Sequence, residues 1–339
     1  MKAIVYTKYG SPDVLKLKEV EKPTPKDDEA LVKIHATSIN AADLEILRGN
    51  WSARFGGPLK PIHKILGSDI AGRIEAIGRN VTQFQPGDDI WGDLSVQLGY
   101  GAFAEYVCVP EIALRLKPAS MTFEEAAAMP SAGVNALQNL RGVGTSSLSF
   151  LLSDKGKIQP GQKVLINGAG GGVGTFAVQI AKSLGAEVTA VDSPSKLAML
   201  RSIGADHVID YTQEDFTQNG KQYDMILDVI AYRSVFAYKR ALRPNGSYFF
   251  VGGSVATLLQ ILFLGPWIRR TTGKKIRILA VHPNLKDMVY ITELCEAGKV
   301  IPVIDRRYPL SEVPEALRYF GEGHARGKII ISMEDSHRQ

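Results

Sequence analysis

The stretch Lys163–Gly174, KVLINGAGGGVG, decides the fold of this chain. Its apolar first part predicts a buried strand, and the glycine-dense part Gly168–Gly174 predicts a tight turn. The turn leads into Thr175–Lys182, where apolar residues recur at helical spacing. A strand that enters a helix through such a turn leaves unpaired backbone N–H groups at the helix N-terminus, and that end carries partial positive charge. The stretch therefore predicts a binding site for a phosphate-bearing ligand.

The spacing Ala169-x-Gly171-x-x-Gly174 follows the dinucleotide-binding pattern, with alanine where the first glycine usually stands. Small residues are needed because the pyrophosphate must approach the backbone closely. A second predicted strand, Glu187–Val191, ends at Asp192, whose carboxylate is placed to accept hydrogen bonds from an adenosine ribose. The alternative is a glycine-rich loop in an α/β protein that binds no nucleotide. The complete order of strand, turn, helix, strand and acid favours the dinucleotide site.

Length and composition limit the possible classes of protein. A chain of 339 residues, 45% hydrophobic and 22% charged, is typical of a globular protein with about two domains. The net charge of +5 is modest, and no basic stripe with interleaved aromatic residues indicates nucleic-acid binding. Cys108 and Cys295 lie far apart and lack metal-ligand spacing, so we expect a reduced, cytoplasmic setting. Met1–Val5 begins directly as a strand and shows no signal-peptide pattern.

One segment, Val255–Ile268, is rich in leucine and isoleucine. It is interrupted by glutamine, glycine and proline, and it is too short for a membrane span of about 20 residues. We expect a buried or interface helix and no transmembrane span. The alternative is peripheral membrane contact, with arginines on lipid phosphates. The apolar side chains that would make this contact are Leu258, Leu262, Phe263 and Trp267.

The pattern of predicted elements changes along the chain. Up to about residue 125, short strand-like runs such as Ala30–Ala36 and Asp69–Ile77 are separated by turn signals, which predicts a barrel-like β domain. Thr122 to Glu125 has the spacing of a capping box, and from there strands and helices alternate. This alternation predicts a doubly wound parallel sheet. Lys275–Val281 is expected as its last strand, at the sheet edge, and residues 143–154 as a loop.

Seven segments carry a family resemblance over nearly the whole chain. They are Ser38–Asp43, Leu66–Gly72, Gln85–Asp88, Gly101–Tyr106, Gly168–Gly174, Leu200–Asp206 and Gly327–Ile330. In this order they resemble the medium-chain dehydrogenase/reductase superfamily, specifically its zinc-free quinone oxidoreductase branch. The resemblance implies an α/β protein with a GroES-like β-barrel domain, formed by residues 1–127 and 303–339. It further implies an inserted Rossmann domain, residues 128–302, and an active site in the cleft.

The resemblance also implies a reaction without zinc. Zinc-dependent relatives carry a cysteine before the position of Ala41 and a histidine–glutamate pair after Gly67, where this chain has Asn40 and Ser68-Asp69. Zinc needs three or four converging ligands, and the four-cysteine lobe is also missing. Without a Lewis acid, oxidising a simple alcohol is hard. Hydride transfer from a reduced nicotinamide to a quinone or an α,β-unsaturated carbonyl demands less of the protein.

The site residues carried over by the resemblance fall into two groups. Asn40 is expected near the cleft as a hydrogen-bond donor to the developing enolate or quinol oxygen, and Asp69 has either a structural or a functional role there. Asp43 is expected to hold its loop. Candidate coenzyme contacts are Ala169, Gly171, Gly172, Val173 and Gly174 for the pyrophosphate, Asp192, Ser193 and Lys196 for the adenosine end, Val251, Gly252 and Gly253 for the nicotinamide, and Asn135, where relatives usually have threonine, for its ribose.

Alternatives remain open for the coenzyme and for the function. Ser193 and Lys196 suit the 2′-phosphate of NADPH, which the branch mostly uses, whereas Asp192 suits the free 2′-hydroxyl of NADH. We predict NADPH, with NADH as the alternative. A zinc-free alcohol dehydrogenase remains a second hypothesis, and a nucleotide-binding or membrane-associated protein with little turnover a third. Because family members usually pair the edge strands of their Rossmann sheets, we expect a homodimer.

Overall fold

The computed structural model describes residues 1–50, 54, 57–97, 100–141, 158–279, 281 and 284–333. The expected loop at residues 143–154 lies outside these ranges. The chain divides into two compact units. The first contains Met1–Ala132, Pro283–Thr292 and Pro302–Gln339, and the second contains Gly133–His282 and Glu293–Ile301.

The secondary structure of the described residues consists of strands, α-helices and short 3-10 turns. The strands are β1 (Lys2–Val5), β2 (Lys16–Glu19), β3 (Glu29–Ser38), β4 (Asp69–Ile77), β5 (Asp89–Asp93), β6 (Tyr106–Pro110), β7 (Leu114–Leu116), β8 (Lys163–Asn167), β9 (Glu187–Asp192), β10 (His207–Asp210), β11 (Tyr223–Asp228), β12 (Leu242–Phe250), β13 (Lys275–Ile278), β14 (Ile304–Pro309) and β15 (Lys328–Ser332). The α-helices are α1 (Ala41–Arg48), α2 (Phe123–Ala128), α3 (Pro130–Arg141), α4 (Gly172–Ser183), α5 (Leu197–Ser202), α6 (Val235–Ala241), α7 (Val255–Thr272), α8 (Leu285–Glu296) and α9 (Val313–Gly321).

The first unit is built on a mainly antiparallel sheet, as the short strands predicted. Its strand order is β14-β15-β3-β4-β5-β7, β6 also pairs with β3, and β1 and β2 form a separate hairpin. Alternating apolar residues of β3 and β4 fill the core beneath this sheet. Ser38, the last residue of β3, lies opposite Asp69, the first residue of β4, and opposite Ile330 of β15. This register brings polar side chains from three strands to one end of the sheet.

The second unit contains the doubly wound parallel sheet that the alternating pattern predicted. Its order is β10-β9-β8-β11-β12-β13, and every described pairing within it is parallel. Strand β8 lies inside the sheet, which explains its continuous apolar run. Because the strands are parallel, the carboxyl ends of β8, β9 and β11 meet at one edge, which is the usual ligand edge of such sheets.

Several elements differ from the expected bounds. Strand β12 begins at Leu242 and contains Pro244-Asn245-Gly246, where its pairing with β11 is irregular. Strand β13 ends at Ile278 and lies at the sheet edge. Helix α7 is longer than the apolar run, since Ser254 Oγ accepts from the Thr257 N–H at its start and Gly273 ends it with φ +72°. In the described part of the chain no helix is long and apolar enough to cross a membrane.

Candidate active site and coenzyme site

The glycine turn after β8 leaves an open concave backbone surface at the N-terminus of α4. Gly168 adopts φ +75°, and the helix begins at Gly172 with Gly171 as its N-cap. A Cβ added at Gly174 would lie 2.4 Å from the Gly168 carbonyl oxygen, whereas a Cβ at Gly171 would find its nearest atom at 3.6 Å. Gly174 therefore lets the helix pack closely on the turn. Gly171 leaves space in front of first-turn N–H groups that have no intrahelical partner, which fits a pyrophosphate.

The carboxylate of Asp192 is buried and turned toward the glycine turn. Its Oδ2 accepts from the Gly170 N–H at 2.7 Å, and its Oδ1 accepts from the Ser193 N–H at 2.8 Å. The Lys196 ammonium lies 3.5 Å from Oδ1, and both side chains are less than a tenth exposed. The structure thus brings the three adenosine-end candidates together, but it places the Asp192 charge in an internal ion pair. The side chain fixes the turn through these bonds.

A pocket of about 290 Å³ lies beside this turn, at the carboxyl ends of β8, β9 and β11. Its lining includes Asp192 and three side chains that we did not predict, Tyr211, Tyr232 and Arg233. Tyr211 and Tyr232 are both more than half exposed, and such flat side chains suit contact with a planar ring. The sequence could have indicated these side chains, because they follow the ends of strands. Ligands of parallel sheets bind at those ends.

A buried hydrogen-bond network stabilises the same edge of the parallel sheet. Asp228 accepts from Asn167 Nδ2 at 2.7 Å and from the Tyr248 hydroxyl at 2.9 Å. Burial raises the pKa of Asp228. Asn167 Nδ2 also donates to the Ile230 carbonyl oxygen at 3.1 Å, which ties the end of β8 to the loop after β11. The network therefore fixes the backbone from which the glycine turn starts.

The nicotinamide-end candidates occupy two different places. Gly252 O accepts from the Ala231 N–H at 2.8 Å, and Gly253 has φ +146°, with its Cα so close to Ala231 that an added Cβ would clash with the backbone. The loop after β12 is thus tied to the loop after β11, and Val251 begins it. Asn135 lies on α3, where its Oδ1 accepts from Asn139 Nδ2 at 2.9 Å. Among the described residues, Asn135 has no hydrogen bond to the glycine turn.

In the first unit, Asp69 is the centre of a buried polar cluster. Its Oδ1 accepts from the Ser131 N–H at 3.0 Å and from Ser131 Oγ at 2.6 Å. Its Oδ2 accepts from Ser38 Oγ at 2.6 Å and from Asn40 Nδ2 at 2.8 Å. The Lys328 ammonium lies 3.3 Å from the same oxygen. Asp69 is fully buried and saturated with donors, so it positions its neighbours.

Lys328 fixes the orientation of the Asn40 amide. Its buried ammonium donates to Asn40 Oδ1 at 2.6 Å and to the Ile39 carbonyl oxygen at 3.1 Å. The Asn40 amide is therefore held with its oxygen toward Lys328 and its nitrogen toward Asp69. The Nδ2 atom has two hydrogens, and Asp69 is its single hydrogen-bond acceptor in the described residues. The half-buried Asn40 thus presents one oriented N–H.

Two further carboxylates surround this cluster. Asp43 holds its loop, since its Oδ2 accepts from the Asn40 N–H at 2.8 Å and its Oδ1 from the Gly67 N–H at 3.1 Å. Burial, and to a smaller extent the Asp69 charge, raise the pKa of Asp43 to about 7. The same two causes raise the pKa of Asp93 to about 6. The site is thus rich in carboxylates that burial pushes toward the neutral form.

The donor set at these positions does not fit a zinc ion. Both oxygens of Asp43 and both oxygens of Asp69 are taken by protein N–H and O–H donors, and the Lys328 ammonium lies beside Asp69. A second cation there would be repelled. Throughout the described ranges, no group of three or more His, Cys, Asp or Glu side chains could hold a metal ion.

Lys328 and Ser38 are site residues that we did not predict. Lys328 could have been recognised from the sequence, because it begins the strand Lys328–Ser332 and is followed by three isoleucines, which are buried. A lysine in such a strand needs a buried partner. The sequence did not identify that partner, because Asp69 lies 259 positions away in the chain.

An antiparallel barrel-like unit and a parallel sheet with a glycine turn define a two-domain, nucleotide-dependent dehydrogenase fold. A model of the alcohol dehydrogenase GroES-like domain matches residues 26–119, and a zinc-binding dehydrogenase model matches residues 203–331. A model of the alanine dehydrogenase/PNT C-terminal domain matches residues 148–231.

Known proteins resemble the chain over nearly its whole length. It is 34% identical to 2-methylene-furan-3-one reductase of Solanum lycopersicum, over 98% of this chain and 79% of that protein. It is 32% identical to the mitochondrial NAD(P)H oxidoreductase RTN4IP1 of Mus musculus, over 98% and 89% of the two chains. The solved quinone oxidoreductase of Coxiella burnetii superposes with a TM-score of 0.85, at 27% identity and over 98% and 99% of the two chains. The chain belongs to the medium-chain dehydrogenase/reductase superfamily, in its quinone oxidoreductase branch.

Proposed function

We propose that this protein is an NADPH-dependent oxidoreductase that reduces quinones or α,β-unsaturated carbonyl compounds by hydride transfer, without zinc. Its relatives include a protein named as a reductase of an unsaturated furanone and one named as a quinone oxidoreductase. The bound nicotinamide would supply the hydride. The protein would bind the coenzyme at the glycine turn, orient the acceptor and stabilise the negative charge that develops on the acceptor oxygen.

The oriented amide of Asn40 is the observation that carries this proposal. Reduction of a quinone or an enone places negative charge on an oxygen, and a fixed N–H donor stabilises that charge. Lys328 and Asp69 hold the amide in one orientation, so no reorganisation is needed when the charge appears. We assign the donor role to Asn40 and a positioning role to Asp69.

The coenzyme proposal rests on the environment of Asp192. The Asp192 carboxylate bonds to the backbone of the turn and pairs with Lys196, so its charge is already compensated. A compensated carboxylate neither repels a 2′-phosphate strongly nor offers free oxygens to a 2′-hydroxyl. Ser193, at the surface beside Ser195, adds a hydroxyl donor for the phosphate. These contacts favour NADPH over NADH.

The proposal of a reaction without zinc is supported by the donor set in the first unit. The positions that hold zinc ligands in zinc-dependent relatives here hold Asn40 and Ser68-Asp69, and protein donors already fill the Asp69 carboxylate. An activated acceptor does not require a Lewis acid, whereas a simple alcohol gains most from one. A metal-free reductase is therefore the reaction that these residues support best.

The test is a comparison of substrates with one enzyme preparation. We expect NADPH absorbance to fall when a quinone or an enone is added, with a higher kcat/KM for NADPH than for NADH. Asn40→Ala should lower kcat by about 100-fold, the usual effect of removing one such donor. Asn80→Ala, which removes an exposed amide bonded to Asp28, is the matched control and should leave kcat unchanged.

Other outcomes would identify the competing functions. Alcohol-dependent formation of NADPH, faster than its acceptor-dependent oxidation, would replace the proposal with an alcohol dehydrogenase. Coenzyme binding without either reaction would indicate a nucleotide-binding protein. A rate that disappears with a zinc chelator and returns with zinc would overturn the metal-free mechanism.

We further propose domain limits, an assembly and a location. The catalytic domain would comprise residues 1–127 and 303–339, and the nucleotide-binding domain residues 128–302. A homodimer would form through β13, which lies at the edge of the parallel sheet and leaves one row of backbone groups to pair. A cytoplasmic location is supported by the cysteine content, since Cys108 and Cys295 form no disulfide in the described part of the chain. Sedimentation velocity and imaging of a fluorescent fusion test the last two proposals.

A further inference from the structure

Helix α7 exposes a continuous apolar face on the second unit. Seven exposed residues form this face over more than three helical turns, and none of them is charged. They are Val255, Ala256, Leu259, Leu262, Phe263, Pro266 and Trp267. Phe263 is 77% exposed and Trp267 is 52% exposed, and Phe236 of the neighbouring α6 is 50% exposed. Exposed helix faces of globular proteins are normally polar, so this face is of the kind that marks an interaction site.

The opposite side of α7 fixes the direction of the apolar face. Thr257, Ile261, Gly265 and Ile268 are buried, at a spacing of about one helical turn. A Cβ at Gly265 would lie 2.8 Å from the Ile276 carbonyl oxygen, so the helix packs closely on β13. Leu258, which the sequence placed on the membrane side, packs against the core, and Leu259 takes its place on the exposed face.

All Lys, Arg, Asp and Glu residues in the sequence segment around the apolar face are positively charged ones. Between Val229 and Lys286 the chain has ten Lys and Arg residues and no Asp or Glu. The other 281 residues carry 30 Lys and Arg against 35 Asp and Glu, so this segment supplies more than the whole net charge of +5. Arg269 and Arg270 follow the face directly and are exposed, and the Lys239 ammonium lies 5.6 Å from the Trp267 ring centroid.

We propose that this face docks on the surface of an anionic lipid bilayer. Helix α7 would lie in the plane of the interface, with its apolar face among the acyl chains and Arg269, Arg270 and Lys239 on lipid phosphates. Trp267 and Phe263 are side chains suited to that depth. A second copy of the chain seated symmetrically on this face would bring the same cations together, which is unfavourable. Docking of this kind does not depend on the proposed reaction.

The test is co-sedimentation of the full chain with vesicles. We expect binding to vesicles of phosphatidylcholine containing one quarter phosphatidylglycerol, little binding to phosphatidylcholine alone, and weaker binding as salt is raised. The double variant Arg269→Gln/Arg270→Gln should bind about 25-fold more weakly, at about fivefold per cation. Phe263→Ser/Trp267→Ser should lose at least about tenfold through the apolar contact.

Two matched controls separate this surface from general charge and hydrophobicity. Lys16→Gln/Lys18→Gln removes the same net charge from exposed positions of β2, and Leu59→Ser removes a side chain that is 87% exposed in the first unit. Both should bind vesicles like the unmodified protein, and all variants should keep its unfolding temperature. Absence of vesicle binding, or an equal loss in the Lys16/Lys18 variant, overturns the proposal. A dimer that Phe263→Ser/Trp267→Ser dissociates, with vesicle binding unchanged, would instead make the face a contact between copies.

Discussion

Replacing Gly171 by alanine tests where the coenzyme's pyrophosphate lies. Gly171 has φ −87° and extended ψ, a conformation that alanine also adopts, and its Cβ would find the nearest atom at 3.6 Å. The substitution reduces the entropy of the unfolded chain, by about 0.4–1 kcal/mol, and loses some N-cap preference. We therefore expect the unfolding temperature without coenzyme to change by no more than about 3 °C.

Coenzyme binding should respond much more strongly than stability. The added methyl group would occupy the space through which a phosphate approaches the first-turn N–H groups of α4. Loss of one charge-assisted hydrogen bond, at about 1.5–3 kcal/mol, weakens binding by about tenfold to about 150-fold. Fluorescence titration with NADPH measures this Kd, and calorimetry of the free protein measures the unfolding temperature.

Gly174→Ala is the paired substitution, with the opposite expectation for stability. Its Cβ would lie 2.4 Å and 2.5 Å from the carbonyl oxygens of Gly168 and Ala169, which are backbone atoms with little freedom to move. Overpacking of this kind costs about 1–3 kcal/mol, so we expect the unfolding temperature to fall by about 3–10 °C. If Gly171→Ala kept the original Kd for NADPH, the pyrophosphate would not contact this turn and the reasoning would be refuted.

Two further predictions concern the buried polar cluster. Lys328→Met leaves the buried Asp69 carboxylate without its cation and should cost about 3–5 kcal/mol, measured by denaturant unfolding, whereas Lys22→Met in an exposed ion pair should cost no more than about 1 kcal/mol. Equal losses would contradict the role of burial. The pKa values of Asp43 and Asp93 are raised to about 7 and about 6, so the folded protein keeps protons that the unfolded chain releases. The stability that these bound protons contribute is present at low pH and is lost as pH rises from about 4 to about 7. Asp43→Asn should therefore unfold at a temperature that rises relative to the unmodified protein over that range, and a constant difference between the two would count against the raised pKa.

Local sequence signals predicted those parts of the fold that depend on neighbouring residues. The apolar run and glycines of Lys163–Gly174 predicted β8, the turn and the start of α4, because strand, turn and helix preferences act over a few residues. The bounds of β4, Asp69–Ile77, were also predicted to the residue. The capping box of Thr122 and Glu125 opens α2 as expected, since both of its hydrogen bonds are local.

Elements with weak local signals were missed or shifted. The short strands β5 and β7 and the helix α1 were not predicted, because each is too short for its periodicity to stand out. Strand β12 contains a bend at Pro244-Asn245-Gly246, with Asn245 at φ +62°, and residues on both sides of the bend pair with β11.

The sequence by itself determined the parallel sheet, the glycine turn before α4 and the excess of positive charge around α7. Only the tertiary structure decided that Asp192 pairs with Lys196 beneath the turn, that Lys328 and Asp69 orient Asn40, and that the apolar side of α7 is exposed. The physical reason is the range of the interactions. Periodicity and turn geometry are set within a few residues, whereas the partner of a buried charge and the burial of a helix face are set by strand register and packing between distant segments.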